Sequence, residues 1–338
     1  MQRLALTISV AVAAISATVA AAQPTAPSFQ KAAPIAAPDG RWDYTSWDAA
    51  HQRLLVAHGQ DVLVIDPSGT APVRAIGTIA GAHAALAIPD SNNVLVSSGH
   101  DDSVRILDAT SGAELARVAV AADPDAAVLS ADGRTAYVMG AKAGEISIID
   151  LVRRAETGRI TLKPGLEFAV LAGPTLIAVN NEDLNEIELA DLSTGKSAGA
   201  IAMPGCTGPA GLAYAPETGL ALSSCGNGQA ALVDIAARRM VQLVPIGMGP
   251  DTVLWQAAQH RFLVPCGRSG TVSIITLDGR HPQVQSAVAT EMSARTAALD
   301  PASGRLYLPA ASFQPAVTGQ RPAMAPGTFH IVVLDPVL

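Results

Sequence analysis

Six ionisable residues recur at near-regular intervals: Asp43, His83, Asp125, Glu167, Asp251 and Arg295. Their separations are 40, 42, 42, 84 and 44 residues, close to one period or twice that period. If each opens the innermost strand of one repeat, all six reach the same end of a central axis. Four carboxylates beside a histidine could hold a hard cation such as Ca²⁺ through oxygen ligands. Crowded carboxylates also raise one another's pKa, which would suit one of them to general-acid work. The plain alternative is a solvated polar rim whose members lie too far apart to share a ligand.

A second set falls in the loops that follow the next strand: Gln60, His100, Lys142, Glu182, Asn227, Arg268 and Ser312. His58, Cys225 and Cys266 precede their counterparts by two residues. Their signs are mixed, which suits either ligand contact or simple solubility. His100 is kept as a candidate binding residue. Arg321, in a long Pro/Gly-containing segment near the end, is another. Together with Arg295 it would offer two cations to a small ligand bearing a carboxylate.

The elements that must position these residues show in a repeat. Apolar β-branched runs ending in Asp recur at Asp66, Asp108, Asp150, Asp191 and Asp234, with Thr276 in the sixth place and Asp335 in the last. The spacings are 42, 42, 41, 43, 42 and 59. Seven copies near 42 residues is the period of a four-stranded propeller blade. The runs are short and bounded by Gly, Asp and Ser, which reads as strand and not as helical solenoid. The third copy divides into an inner strand (126–130), a turn at Ala131-Asp132-Gly133-Arg134, a second strand (135–139), a third (145–149) and a fourth (159–162). Inner strands such as Ala84-Ala85-Leu86-Ala87 use small side chains, as expected where seven strands converge. The terminal Asp residues are expected to cap third strands by accepting turn amides.

The fold class predicted is therefore all-β: a seven-bladed β-propeller with four-stranded blades. The last copy stops three residues after Asp335, before any fourth strand, while Phe29–Ile35 precedes the first blade without a blade of its own. The segment is expected to pair with Ile331–Leu334 and close the ring, which leaves no open strand edge. The last interval is 17 residues longer than the period, and its excess (313–327) carries Pro315, Pro322, Pro326, Gly319 and Gly327. Proline removes donors, so this stretch is expected to form neither helix nor paired strand but a lid over the channel mouth.

Asp132-Gly133-Arg134-Thr135-Ala136-Tyr137-Val138, with Ile146 to Asp150 after it, resembles the YVTN-type (YncE-like) β-propeller repeat. So does Val104 to Asp108 followed by Ala109-Thr110-Ser111-Gly112. The resemblance spans roughly residues 29–338. It implies a seven-bladed ring, frequent export and mostly unassigned chemistry; similar propellers include lactonases and the haem-d1 domain of nitrite reductases.

Composition limits function further. Of 338 residues, 49% are apolar and 15% charged, enough for a large core. The net charge of −7 gives no basic footprint, so nucleic acid is an unlikely partner. Residues 1–22 combine Arg3, the apolar stretch Leu4–Val19 and the small residues Ala20-Ala21-Ala22, the pattern of a cleaved signal peptide. The remainder, 23–338, is expected to be one propeller domain, monomeric, periplasmic or secreted, with no membrane span. In that compartment disulfides persist. Cys206, just before the inner strand of the fifth repeat, is expected to pair with Cys225 at the end of the adjacent antiparallel strand, leaving Cys266 reduced; Cys225 with Cys266 and no bond at all are the alternatives. There is no Cys-x-x-Cys-His, no Cys-x-x-Cys, no His-Glu-x-x-His, no Gly-x-Ser-x-Gly and no phosphate loop. No cofactor is expected, with Ca²⁺ the one ion the acidic set would suit. The expected function is binding or scaffolding of a small ligand or periplasmic protein at the channel mouth, with no catalytic residue assigned. The rival is a metal-assisted lactone or ester hydrolase that uses the acidic residues there.

Overall fold

A computed structural model describes residues 28–315 and 321–337. The expected signal peptide, 1–22, lies outside them, as do residues 316–320 of the long final loop. The described residues form seven antiparallel sheets of four or five strands arranged as a ring: a seven-bladed β-propeller. No helix among them is long and apolar enough to cross a membrane.

The third blade shows how the sequence builds each unit. Its strands are Pro124–Leu129, Thr135–Gly140, Glu145–Asp150 and Ala155–Thr161, each antiparallel to the next. The outer strand begins four residues earlier than expected, because Thr157 and Gly158 continue the ladder through a bulge at Ile148/Ile149. Between the first two strands, Gly133 takes a φ of 65°, which an L side chain rarely adopts. Asp132 completes that turn by accepting from the Ser130 hydroxyl (2.6 Å) and the Arg134 amide (3.1 Å). The Asp residues that end the third strands accept turn amides in five blades, for example Ser111 N on Asp108 at 2.7 Å and Ser193 N on Asp191 at 2.8 Å. Asp335 differs: it pairs with Arg305 Nε at 2.6 Å.

Blade faces pack on one another, so the core is a series of interblade layers. Ile187 and Leu189 of the fourth blade meet Leu212 and Val233 of the fifth. Second and third strands are covered on both faces, which is why Arg53–His58 is buried along its whole length. Outer strands alternate toward solvent, as in Ala155–Thr161.

The ring closes as the surplus N-terminal segment predicts, in two short pieces. Phe29–Lys31 pairs with Leu334–Pro336, and Ile35–Ala36 with His330–Ile331. Pro34 interrupts the ladder because it has no donor. The closure reaches both flanking interfaces: Phe29 packs among Leu263, Ile274, Leu306 and Leu334, and Ile35 beside Leu54, Val56 and Ile331.

The stem of the final loop corrects the expectation that it cannot pair. Phe313 bridges Met324, Gln314 N donates to Ala323 O (2.8 Å) and Ala325 N to Ser312 O (2.9 Å). The donors needed come from Gln314 and Ala325, so Pro315, Pro322 and Pro326 do not obstruct the stem. Asp39 fixes its base by accepting from Gly327 N (2.5 Å) and Phe329 N (3.1 Å). Small inner-strand side chains also hold only in part. Ala84, Ala126, Ala169 and Ala213 follow the rule, whereas Trp47 and Trp255 break it in the first and sixth blades.

Phe29→Ala is expected to lower stability by about 3 kcal/mol, the scale of truncating a buried aromatic. Its ring is buried, and the Arg261 guanidinium lies 4.9 Å from its centroid. Chemical unfolding of the variant beside the parent protein measures the difference. An unchanged midpoint would show that the closing segment contributes little.

Candidate functional site

The inner strands carry a local irregularity that aims side chains at the axis. In the second, third and fourth blades the ladder to the next strand slips at the strand start, at Ala82/Ala85, Pro124/Ala126 and Leu166/Ala169. His83, Asp125 and Glu167 are residues inside those bulges. A bulge leaves a residue unpaired and redirects it. The fifth blade has the same slip at Pro209/Leu212, but Ala210 and Gly211 occupy it, so that blade contributes backbone and no polar side chain. Asp43, Asp251 and Arg295 approach from the loops that lead into the inner strands of the first, sixth and seventh blades.

Five of these six contact another of the set, and Glu167 lies within electrostatic reach of Asp125 and Asp251. His83 Nδ1 lies 2.8 Å from Asp43 Oδ2 and 3.0 Å from Asp125 Oδ1, bridging three blades. The two carboxylates push the imidazole pKa up to about 10, so His83 is an imidazolium at neutral pH. Burial raises Asp43 to about 6, against the opposing hydrogen bond from His83. Glu167 is pushed well above the carboxylate range, by burial first and then by Asp125 and Asp251. It accepts the Tyr44 hydroxyl at 2.9 Å, and burial raises that phenol too. Asp251 is raised by burial, opposed by Arg295, whose Nε is 2.6 Å from Asp251 Oδ2. Arg295 also donates to Trp42 O (2.9 Å) and lies 5.3 Å from the Trp42 ring centroid.

Beside this cluster is a cavity of about 960 Å³ over the fourth to seventh blades. Asp251 and Arg295 line its inner side; Glu182 and Arg268, both exposed, stand on its walls. Among the described residues neither Glu182 nor Arg268 has an ion-pair partner. Gly208, Gly226, Gly249 and Gly267 leave backbone bare along one wall. Gly249 has φ 69°, and a Cβ there would sit 2.6 Å from Arg268 Cγ, so the wall is closed to larger residues. A disulfide joins Cys206 to Cys225 with Cα atoms 5.3 Å apart, and fastens the fifth-blade wall next to Gly208 and Gly226. Cys266 is free and buried, and burial raises its thiol pKa. Phe313 and Pro322 of the final loop form the outer wall.

Other candidates lie elsewhere. His100 is exposed and packs by Gly81, outside the cavity lining; Arg321 is exposed and is not in the lining either. His58 is buried, with Nδ1 2.9 Å from Asp61. Trp42 is buried under Phe313, Phe329 and Arg295. Tyr44 was not legible as a site residue; its only signal is adjacency to Asp43.

The geometry defines a seven-bladed propeller with an acidic, cavity-bearing channel mouth. No family model matches the chain, and no curated protein matches it. Solved structures do. A chain of Kuenenia stuttgartiensis hydrazine synthase superposes with a TM-score of 0.68 at 15% identity, covering 78% of this chain and 91% of that one. A chain of the mitotic checkpoint complex gives a TM-score of 0.74 at 15% identity, covering 96% and 98%. At such identity the likeness is one of fold alone.

Two outcomes are expected. Replacing Cys206 and Cys225 with Ala should lower stability by about 3 kcal/mol, since the bond closes a loop of 19 residues; equilibrium unfolding with and without reductant measures it. His83 is raised above its unfolded value, so its contribution is complete below about pH 6.5 and is lost as pH rises through about 10. The melting temperature should therefore fall from pH 6.5 to 9, and His83→Gln should flatten that slope. Equal slopes in parent and variant would contradict the clamp.

Proposed function

We propose that this chain is an exported binding protein, a propeller of the YVTN type acting as a monomer, whose channel mouth takes a ligand or partner side chain bearing a positive charge. The carrying observation is the charge balance. Asp43, Asp125, Glu167, Glu182 and Asp251 act on one another electrostatically; among the described residues only His83 and Arg295 contact them as cations, with Arg268 on the cavity wall. The raised pKa values of Asp43 and Glu167 mean that each holds its charge at a cost, which an arriving ammonium or guanidinium reduces. A carboxylate ligand would have Arg268 alone among the lining cations to meet it, against the acidic set, because Asp251 and Trp42 O already occupy Arg295 and Arg321 stands outside the cavity lining. The Cys206–Cys225 bond supports an oxidising compartment, in keeping with the signal-like segment at 1–22. The long final loop supplies a wall through Phe313 and Pro322 and is read as the lid.

One observation favours the hydrolase reading. Asp43, His83 and Asp125 place three donor atoms within 4.8 Å of one another, which could hold a divalent ion. With an imidazole in the set, Zn²⁺ suits it better than Ca²⁺. That reading requires a neutral His83, and the two carboxylates now hold the ring as a cation.

Isothermal titration with spermidine, arginine amide and glutamate separates these readings. The cations are expected to bind at pH 7 and glutamate not. Glu167→Gln should weaken cation binding by about tenfold, which is about 1.4 kcal/mol. Affinity should fall from pH 7 to 5 as Asp43 takes up its proton around pH 6. Binding of glutamate alone would overturn the proposal. So would Zn²⁺-dependent ester hydrolysis that Asp43→Asn abolishes.

A further inference from the structure

The opposite end of the channel holds a second cavity that the mouth does not explain. Each inner strand leaves the mouth and runs down the axis, and those of the first, sixth and seventh blades end at Asp48, Gln256 and Leu299. Between them lies a cavity of about 390 Å³. That is within the roughly 300–1,000 Å³ of small-molecule sites. Trp47 and Trp255 line it with Thr45, Leu254, Leu299 and Pro301, and no lining residue is charged.

Packing holds each of the two tryptophans and still leaves it partly exposed. The chain has three in 338 residues, and two of them border this one cavity. At the equivalent register position the other blades carry Ala87, Leu129, Leu171, Tyr214 and Leu299, so the two indoles are the largest members of that ring. Tyr307 stacks on one face of the Trp47 ring, with centroids 5.3 Å apart and planes 11° apart, yet Trp47 stays partly exposed, as does Trp255. Trp255 is held from behind by Phe262, at 4.7 Å between centroids. Among the described residues, the indole Nε1 of each and the Thr45 hydroxyl have no hydrogen-bond partner, and all three are shut off from solvent. An indole N–H is a donor only, and a buried donor without an acceptor costs free energy. Half-exposed aromatic surface beside unpaired polar groups calls for an explanation that the scaffold does not supply.

We infer that this cavity is a binding site for a neutral saccharide ring. A ligand there must be uncharged, since nothing in the lining would offset an ion. It must present an apolar face to the exposed indole surfaces. It must also bring acceptor oxygens that a small turn of either indole, or of the Thr45 hydroxyl, can reach. A pyranose meets all three demands with its C–H face and its ring of hydroxyls. A planar hydrocarbon meets only the first two.

The test is titration of the full protein with glucose, N-acetylglucosamine, maltose and, as the aromatic comparison, indole, followed by calorimetry and saturation-transfer NMR. At least one saccharide is expected to bind in the millimolar range. Trp47→Ala and Trp255→Ala should each weaken it about tenfold. Spermidine saturating the mouth should leave it unchanged, so this site stands or falls separately from the mouth. Near-UV circular dichroism establishes that each variant is folded; where an Ala variant is not, Trp47→Phe and Trp255→Phe keep the packing, remove the N–H and should still lose at least threefold. The inference is overturned if none of the three saccharides binds, if folded variants bind like the parent, or if indole binds and no saccharide does.

Discussion

Phe29–Lys31 and Ile35–Ala36 lie along the last strand of the chain, and every blade interface depends on that pairing. A blade buries its apolar faces only against two neighbours. An open ring would leave the first and seventh blades each with one uncovered face and an unpaired edge. The closure removes both, because Phe29 enters the layer between the sixth and seventh blades and Ile35 the layer between the seventh and first. The remaining interblade layers are local by comparison, with each blade meeting the next in sequence. The ring therefore combines short-range packing with one contact about 300 residues apart in the chain.

Closure also determines what the axis can do. With seven inner strands held around one channel, a bulge at the start of a strand becomes a pointing device. His83, Asp125 and Glu167 all use it, and Asp43, Asp251 and Arg295 reach the same volume from adjoining loops. Charges from six blades then share one half-buried space. The result is a set of raised carboxyl pKa values beside an imidazolium, where water would have left each group near its ordinary value.

The sixth, seventh and first blades are the irregular ones. Inner strands shrink to Leu254–Gln256 and Ala298–Leu299, the final loop is long, and all three tryptophans lie in the first and sixth blades. Cavities at both ends of the channel border this sector. The regular blades hold the ring together, and the irregular ones supply its concave surfaces.

The sequence alone settled the seven blades, the strands within them, the capping aspartates and the segment that closes the ring. Those features are local or periodic: Asp132-Gly133 makes its turn from its own backbone, and a 42-residue period repeats one packing problem seven times. It also singled out residues that would stand at the channel mouth. It did not contain their partners. That one nitrogen of His83 meets both Asp43 and Asp125, that Tyr44 serves Glu167, and that Arg295 is taken up by Asp251 and Trp42 depend on which bulge turns which side chain inward. Nor did spacing place Trp47 beside Trp255, 208 residues away. Such contacts exist only once the ring has closed, because the tertiary fold sets distance across a channel, and separation along the chain does not.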